Sequence, residues 1–267
     1  THTNGFAFGT YSNAQQVNAF AVGPNAFASG INSFAIGPNA RATGNDAFAI
    51  GVGAVAEGDG AFAIGDAAYD APSANDSLET GDGATVFASN ASAFGTCSLA
   101  MQANAYAFGS HSNALAPNSY AVGTRSQTGG TRSIAIGENS RTYGTTNFTQ
   151  SINSVAVGVE SLTNGANSSA FGTSANANGP NARAFGTGAR ANGYNVTASG
   201  TGARSLGVNS FAKGVNAVAN GTNVRAEGTS AVASGVNTSA SGTGANASGV
   251  NAVAKGVGAV ASGTNVR

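Results

Sequence analysis

Small and variable side chains alternate along this chain in seven-residue units that each end at a glycine. In the units that end at Gly23 and Gly51, the second and fourth residues before the glycine are alanines, whereas the first and third vary in size and polarity. Alternation with a period of two is typical of a β-strand with two different faces. Because alanine and serine are poor strand formers, their regular placement indicates a narrow interior that admits only small side chains.

Glycine and asparagine mark the points where the chain is expected to turn. From Gly9 to Gly65 the glycines follow a seven-residue step that is missed only at Gln16, and from Gly81 the step resumes two residues out of phase. An asparagine often stands two residues after the glycine, as at Asn25, and asparagine tolerates the left-handed backbone conformation of a tight corner. Short strands joined by such corners predict an all-β fold, a parallel β-solenoid.

Alternate units differ in their outward residues, so the full repeat is fourteen residues long. Phenylalanine recurs in every second unit, and neighbouring coils should stack these rings about 4.8 Å apart. An apolar ladder left in water would aggregate, which predicts that self-association buries it. A monomeric solenoid whose stripe is covered by something outside this chain is the alternative. The interface is predicted to consist of Phe20, Val22, Phe34, Ile36, Phe48, Ile50, Phe62, Ile64, Phe108, Val122, Ile134, Ile136, Val155 and Val157.

Two stretches interrupt the repeat within a predicted single domain over residues 1–267. Gly65 and Gly81 are sixteen residues apart, and acidic residues are concentrated between them. Near residues 141–152 the alternation slips by one half-coil. Because solenoid insertions usually leave the coil, residues 66–82 and 141–152 are predicted to be exposed excursions. In the C-terminal third the outward residues are modest in size, and they leave open which strands face an interface.

Charge narrows the classes of function. The formal net charge is zero and 8% of the residues are charged, which excludes the electrostatic footprint of a nucleic-acid binder or a polybasic membrane binder. No lysine or arginine lies between Arg41 and Arg125, and Glu227 is the only acidic residue after Arg183. The outward arginines are interpreted as solubilising side chains.

No catalytic, cofactor-binding or metal-binding set is predicted, and the chain is not expected to be an enzyme. His111 occupies a corner slot, and Cys97 has no second cysteine with which to form an internal disulfide. The acidic residues between Asp66 and Glu79 match neither an EF-hand loop nor a calcium-binding β-roll repeat. A solvated loop is therefore preferred over a calcium site for this stretch.

Three strings carry a resemblance to a known family: NSFAIG at 32–37, RSIAIGENS at 132–140 and NSVAVGVES at 153–161. With the fourteen-residue period, they make nearly the whole chain resemble the YadA-like head domains of trimeric autotransporter adhesins. The resemblance implies a left-handed parallel β-roll, assembly as a homotrimer, and larger apolar residues that face the threefold axis. In some of these heads the string NSVAIGxxS is linked with collagen binding. Ordinary coil packing is the alternative interpretation of the candidate ligand-binding residues that match it here, Asn153, Ser154, Val155, Val157 and Ser161.

The resemblance also implies a function, which is attachment at the bacterial cell surface. The expected partners are extracellular matrix proteins, host cells, other bacteria in autoagglutination, and abiotic surfaces. Anchoring in the outer membrane is expected to come from regions outside this segment, since the sequence stops in mid-repeat and the segment itself is not expected to enter a membrane. Two alternatives stay open. A glycan-active β-helix would need clustered carboxylates and aromatic residues along a groove, and the acidic stretch at 66–82 is its only support. An ice-binding or other surface-templating solenoid would need a flat, regular threonine ladder, for which the outward residues are too mixed.

Overall fold

A computed structural model describes residues 4–72, 77–143 and 151–267, which form short parallel β-strands joined by tight corners. The chain divides into two compact units, Thr1–Thr128 and Gly129–Arg267. Within each unit the odd-numbered strands form one parallel sheet, the odd sheet, and the even-numbered strands form a second, the even sheet. The predicted all-β parallel solenoid is therefore confirmed. The left-handed sense of the coil and the organisation as one domain stay predictions.

The first unit contains β1 to β18 among its described residues. Its odd sheet consists of β1 (Phe6–Phe8), β3 (Phe20–Val22), β5 (Phe34–Ile36), β7 (Phe48–Ile50), β9 (Phe62–Ile64), β11 (Leu78–Thr80), β13 (Ser92–Phe94), β15 (Tyr106–Phe108) and β17 (Tyr120–Val122). Its even sheet consists of β2 (Asn13–Ala14), β4 (Phe27–Ala28), β6 (Arg41–Ala42), β8 (Val55–Ala56), β10 (Tyr69–Asp70), β12 (Thr85–Val86), β14 (Leu99–Ala100), β16 (Asn113–Ala114) and β18 (Gln127–Thr128).

The second unit contains β19 to β36 among its described residues. Its odd sheet consists of β19 (Ile134–Ile136), β21 (Val155–Val157), β23 (Ser169–Phe171), β25 (Arg183–Phe185), β27 (Thr197–Ser199), β29 (Phe211–Lys213), β31 (Arg225–Glu227), β33 (Ser239–Ser241) and β35 (Val253–Lys255). Its even sheet consists of β20 (Arg141–Thr142), β22 (Leu162–Asn164), β24 (Asn176–Asn178), β26 (Arg190–Tyr194), β28 (Arg204–Val208), β30 (Val218–Thr222), β32 (Val232–Val236), β34 (Asn246–Val250) and β36 (Val260–Thr264).

Each coil comprises one odd and one even strand, and the next coil repeats it fourteen residues later in register. Ala21 pairs with Ala35, and Ala35 pairs with Ala49. These alanines are fully buried, as are Ala28 and Ala42 of the even sheet. The lumen of the coil is thus filled by small side chains from both sheets, as the alternation predicts.

The corners are built by residues in the left-handed conformation. Corner asparagines such as Asn32 and Asn209 have φ values of 55° and 51°, which confirms the prediction from the Gly-x-Asn pattern. In the second unit their side-chain amides also bond from coil to coil, with distances of 2.9–3.3 Å. This amide ladder runs through Asn181, Asn195, Asn209, Asn223, Asn237, Asn251 and Asn265.

The predicted excursion at 66–82 is wrong for its described residues. Strand β10 pairs with β8 and β12, and β11 pairs with β9 and β13, so residues on both sides of the insertion belong to the coil. The two extra residues fall between Asp70 and Ser77, since Phe62 pairs with Leu78. Both sheets continue on either side of the insertion. Residues 73–76 lie outside the described residues.

The second interruption adds half a coil and leaves the strand order intact. Ile134 pairs with Val155 and Arg141 pairs with Leu162, twenty-one residues apart in each case. The pairing of both sheets therefore continues across this interruption. Of the predicted excursion at 141–152, residues 141 and 142 form strand β20, and residues 144–150 lie outside the described residues.

Glycines at the ends of the even strands allow adjacent coils to approach closely. Gly235 has a φ of 120°, and a Cβ atom there would overlap the carbonyl oxygen of Gly249 in the next coil. Gly244 has a φ of 66°, and nothing lies within 4 Å of the position that a Cβ atom would take there. The left-handed backbone conformation of Gly244 is also adopted by Asn216, which has a φ of 53° at the equivalent corner.

The Gly235→Ala substitution is expected to destabilise the second unit by at least about 2 kcal/mol, because neither the backbone conformation nor the coil spacing admits a methyl group. Gly244→Asn is the matched control and should stay within about 1 kcal/mol of the wild type, because its corner has space and suits asparagine. Denaturant midpoints of the three proteins measure both effects. Equal losses for the two variants would contradict this account of the corners.

Candidate functional site

The odd sheet of the first unit carries an outward ladder of apolar side chains. The rings of Phe34 and Phe48 stack with centroids 4.7 Å apart and planes 3° apart, and Phe48 stacks on Phe62 at 4.6 Å. Further along the same sheet, Phe94 stacks on Phe108 at 4.5 Å. Phe62 is 38% exposed and Phe108 is 40% exposed in the single chain. The rings of the ladder therefore pack against one another from coil to coil, yet part of their apolar surface faces solvent in the single chain.

In the second unit the odd sheet begins with an apolar ladder of its own and then becomes polar. Ile134 pairs with Val155 and Ile136 with Val157, so the four residues predicted for the interface in this unit adjoin one another. Farther along, outward pairs such as Arg225 and Glu227 replace the apolar ones, and these two form an ion pair of 2.7 Å.

The strand pairing assigns the strands of the C-terminal third to the two sheets. Phe211 and Val253 lie on the odd sheet of the second unit, the same sheet as Val155, whereas Val218 and Val232 lie on the even sheet. The hydrophobicity of the outward side chains does not distinguish the two sheets in this part of the chain, because both sheets carry isolated valines. The hydrogen-bonded register does separate them.

The candidate ligand-binding residues do not all reach one surface. Asn153 is exposed at a corner and donates a hydrogen bond to Asn167 at 3.1 Å. Val155 and Val157 are half-buried and point outward from β21. Ser154 and Ser161 are fully buried, and the hydroxyl of Ser154 donates to the carbonyl of Ser151 at 2.7 Å. The two serines therefore fill the lumen and cannot contact a macromolecule at the outer surface.

Three polar residues interrupt the alanine lumen where the two-residue insertion lies. Asp70 accepts hydrogen bonds from the backbone N–H groups of Glu57 at 3.2 Å and Gly58 at 2.7 Å. The hydroxyl of Ser77 also donates to Asp70, at 2.6 Å. Asp70 thus supplies acceptors to the backbone of the preceding coil and to Ser77 on the far side of the insertion.

Glu79 lies in the same part of the lumen without such partners. Its side chain is fully buried, and both of its carboxyl oxygens lack a hydrogen bond among the described residues. Burial, and then the charge of Asp70, raise the pKa of Glu79 to about 9. Burial also raises the pKa of Asp70 to about 6, although its three hydrogen bonds oppose the change. Glu79 is therefore a neutral carboxylic acid near neutral pH.

These two buried carboxyl groups contradict the solvated loop expected for the acidic stretch. A signal was present in the sequence: Glu79 is the second residue before Gly81, which is an inward position in every regular unit. Since both carboxyl groups lie inside the coil, they cannot flank a glycan bound in an outer groove. Asp66 and Asp82 of the same acidic stretch stay exposed at corners, so the glycan-active alternative loses these two carboxyl groups but not the whole stretch.

Other candidate chemistry is sparse. His111 is exposed and its Nδ1 lies 2.8 Å from the Ser110 hydroxyl, while Cys97 is an exposed corner residue. Across residues 4–72, 77–143 and 151–267, no three side chains of the His, Cys, Asp or Glu type are grouped to hold a metal ion. In the same ranges, no helix has the length and hydrophobicity to cross a membrane.

A protein-family model, the YadA head domain repeat in two copies, matches most of the chain. The matched ranges are 3–26, 28–54, 42–68, 103–126, 114–140, 129–145, 150–175, 177–203, 205–223, 226–245 and 247–266. Residues 69–102, which contain the lumen carboxyl groups, fall outside these matches. No curated protein sequence matches the chain.

The buried carboxyl groups predict that the fold is most stable in acid. Glu79 keeps its proton up to about pH 9 in the folded protein, whereas the unfolded chain releases it near 4.5. The unfolded state therefore binds fewer protons between these values, and stability declines as the pH rises, by up to about 1.4 kcal/mol per pH unit. The thermal unfolding midpoint should fall between about pH 5 and pH 8.

Glu79→Gln keeps the shape of the side chain and removes its ionisation, so this variant should lose most of the pH dependence. Glu160→Gln, a change at an exposed corner, should retain the wild-type dependence. If the thermal unfolding midpoints of the wild type and Glu79→Gln changed equally between about pH 5 and pH 8, Glu79 would not be the source of the pH dependence.

Proposed function

This chain belongs to the YadA head domain family, and from that membership we propose that it is the adhesive head of a homotrimeric bacterial surface adhesin. The head attaches to extracellular matrix proteins, host cells or abiotic surfaces, and to sister bacteria in autoagglutination. Regions outside this segment anchor it in the outer membrane. It acts by presenting a surface, without catalysis or a cofactor.

The partly exposed apolar ladder of the odd sheet is the observation that supports this proposal most directly. A soluble monomer rarely leaves a contiguous apolar stripe in water, and three chains side by side would bury it about a common axis. The outward residues of the odd sheet that the sequence predicts for the interface all lie along this stripe. Val155 and Val157 belong to it, so we assign them to the trimer interface, which leaves Asn153 as the candidate contact for a ligand.

With the odd sheet at the axis, the even sheet and the corners form the outer surface of the trimer. Small side chains, mainly alanine and serine, fill the lumen, so a ligand has no interior cavity to enter. Attachment then depends on many small polar contacts of low individual affinity. Three copies in one head, and many heads on one cell, strengthen such contacts through effective concentration.

Replacing Phe34 and Phe48 together with serine is expected to release monomers or prevent folding, because it removes the centre of the ring stack. Sedimentation equilibrium measures the mass of the wild type and the variant, and the wild type should have three times the mass of one chain. Where the variant stays folded, its apparent affinity for coated collagen, fibronectin, laminin, cells or plastic should fall by about a hundredfold or more.

Phe27→Ser with Val55→Ser is the matched control, because both residues point outward from the even sheet of the same unit. This double variant should remain a trimer and keep most of its attachment. A wild type that sediments as a compact monomer, or a monomeric variant that attaches as well as the wild type, would defeat the proposal.

A further inference from the structure

The even sheet of the second unit carries a groove of about 260 Å³ on its outer face. Its floor comes from three adjacent strands, β24, β26 and β28. The side chains that define it are Asn176, Asn178, Arg190, Asn192, Arg204 and Leu206. We call it the Arg190–Arg204 groove.

Two arginines stand side by side in this groove without an acidic partner. Arg190 and Arg204 are paired in the strand register, so their Cα atoms belong to adjacent coils about 4.8 Å apart. Like charges directly opposite each other in a sheet are unfavourable. Within the described residues, the ion pairs of arginine side chains are Arg41 with Glu57 and Arg225 with Glu227, and neither involves the groove. Two guanidinium groups therefore present their donors to solvent.

Amide side chains continue the groove beside the arginines. Asn176 precedes Arg190 in the register, and Asn178 precedes Asn192. The Oδ1 atom of Asn176 is buried and has no hydrogen-bond partner among the described residues. A buried acceptor without a donor is uncommon in a folded protein, and a turn of the Asn176 amide toward the groove would let a ligand hydroxyl satisfy it.

The electrostatic surroundings favour an anion. The described even strands from β22 to β36 contain no acidic residue. Ser174, at the rim, donates a hydrogen bond to Glu160 at 3.1 Å, and this interaction holds that carboxylate at the corner. Glu160 is not among the residues that line the groove.

From these observations we propose that the Arg190–Arg204 groove binds an acidic saccharide, with a sulfate or carboxylate group held between the two guanidinium groups. Arginine forks match the planar or tetrahedral oxygens of such groups. The amides of Asn176, Asn178 and Asn192 suit sugar hydroxyls, and Leu206 offers an apolar contact for the C–H face of a ring.

Other polyanions fit less well. The groove is lined by no aromatic side chain on which a nucleobase could stack. Strands β24, β26 and β28 are each paired on both sides, so an acidic peptide cannot add as a further strand. The inference names a ligand class for the adhesive surface, and it rests on the proposed function in that the even sheet must face outward in the trimer.

Binding of the full chain to immobilised heparin, hyaluronan and uncharged dextran in surface plasmon resonance tests the proposal at about 150 mM salt. Heparin supplies sulfate groups, whereas hyaluronan supplies carboxylates alone. Comparing binding to these two polymers therefore identifies which anionic group the groove recognises. Wild type should bind at least one of them and should not bind dextran. Arg190→Gln with Arg204→Gln should weaken this binding about tenfold or more and lower the salt dependence of log K by roughly two.

Two further variants separate a built groove from general attraction between opposite charges. Arg125→Asn with Arg132→Asn makes the same charge change at two exposed corners that suit asparagine, and it should bind as the wild type does. Arg190→Lys with Arg204→Lys keeps the charge but loses the guanidinium forks, and it should bind several-fold more weakly than the wild type. Circular dichroism and sedimentation confirm that each variant keeps its fold and assembly.

The proposal is overturned if heparin and hyaluronan both fail to bind, if the corner variant loses as much binding as Arg190→Gln with Arg204→Gln, or if the lysine variant binds as the wild type does. Tighter binding of poly-glutamate or single-stranded DNA by the same two arginines would also overturn it, in favour of a different class of partner. Attachment to coated surfaces together with a failure to bind acidic saccharides would reject this inference alone and leave the adhesive function standing.

Discussion

The lumen of each coil is filled by side chains no larger than alanine or serine at most positions, and adjacent coils approach so closely that glycine is required where strands end. This limit on width determines where every larger residue can go. Phenylalanine and isoleucine are directed outward, and in the first unit a fourteen-residue period stacks most of them on the odd sheet, whereas valines such as Val196 and Val224 still fit inside. A fold that cannot bury its large apolar residues inside leaves them on the surface of the single chain, and this exposed stripe is the reason for the assembly proposed above.

The two charged residues that the described lumen contains lie where the repeat itself is disturbed. Asp70 compensates for a displaced corner by accepting two backbone N–H groups and a hydroxyl. Glu79 has no such role in the described contacts, and it is tolerated as a neutral acid because burial raises its pKa to about 9. The family model does not match this part of the chain, which agrees with a local departure from the standard coil inside an otherwise regular sheet.

Much of the fold could be predicted because period, residue size and corner chemistry all point to the same coil. The inward alanines and the corner asparagines follow from spacing alone. The burial of Asp70 and Glu79 could not be predicted from charge, which favours solvent, although Glu79 occupies an inward slot when counted back from Gly81. The sheet assignment of Phe211 and Val218 follows from the fourteen-residue step after Val155, but their similarly apolar side chains do not predict which of the two sheets would face a partner. Arg190 and Arg204 are fourteen residues apart in the sequence, but a spacing alone does not distinguish a paired site from two solubilising side chains.

Introducing leucine at two neighbouring positions of one strand tests most directly whether the width of the lumen limits side-chain size. Ala233 points into the lumen and is fully buried, whereas Val232 precedes it on β32 and points outward. The account predicts that Ala233→Leu lowers the free energy of unfolding by at least about 2 kcal/mol, because the lumen has no room for the added atoms, while Val232→Leu changes it by less than about 1 kcal/mol. Equal effects at the two positions, measured by denaturant unfolding, would contradict the claim that lumen width governs this structure.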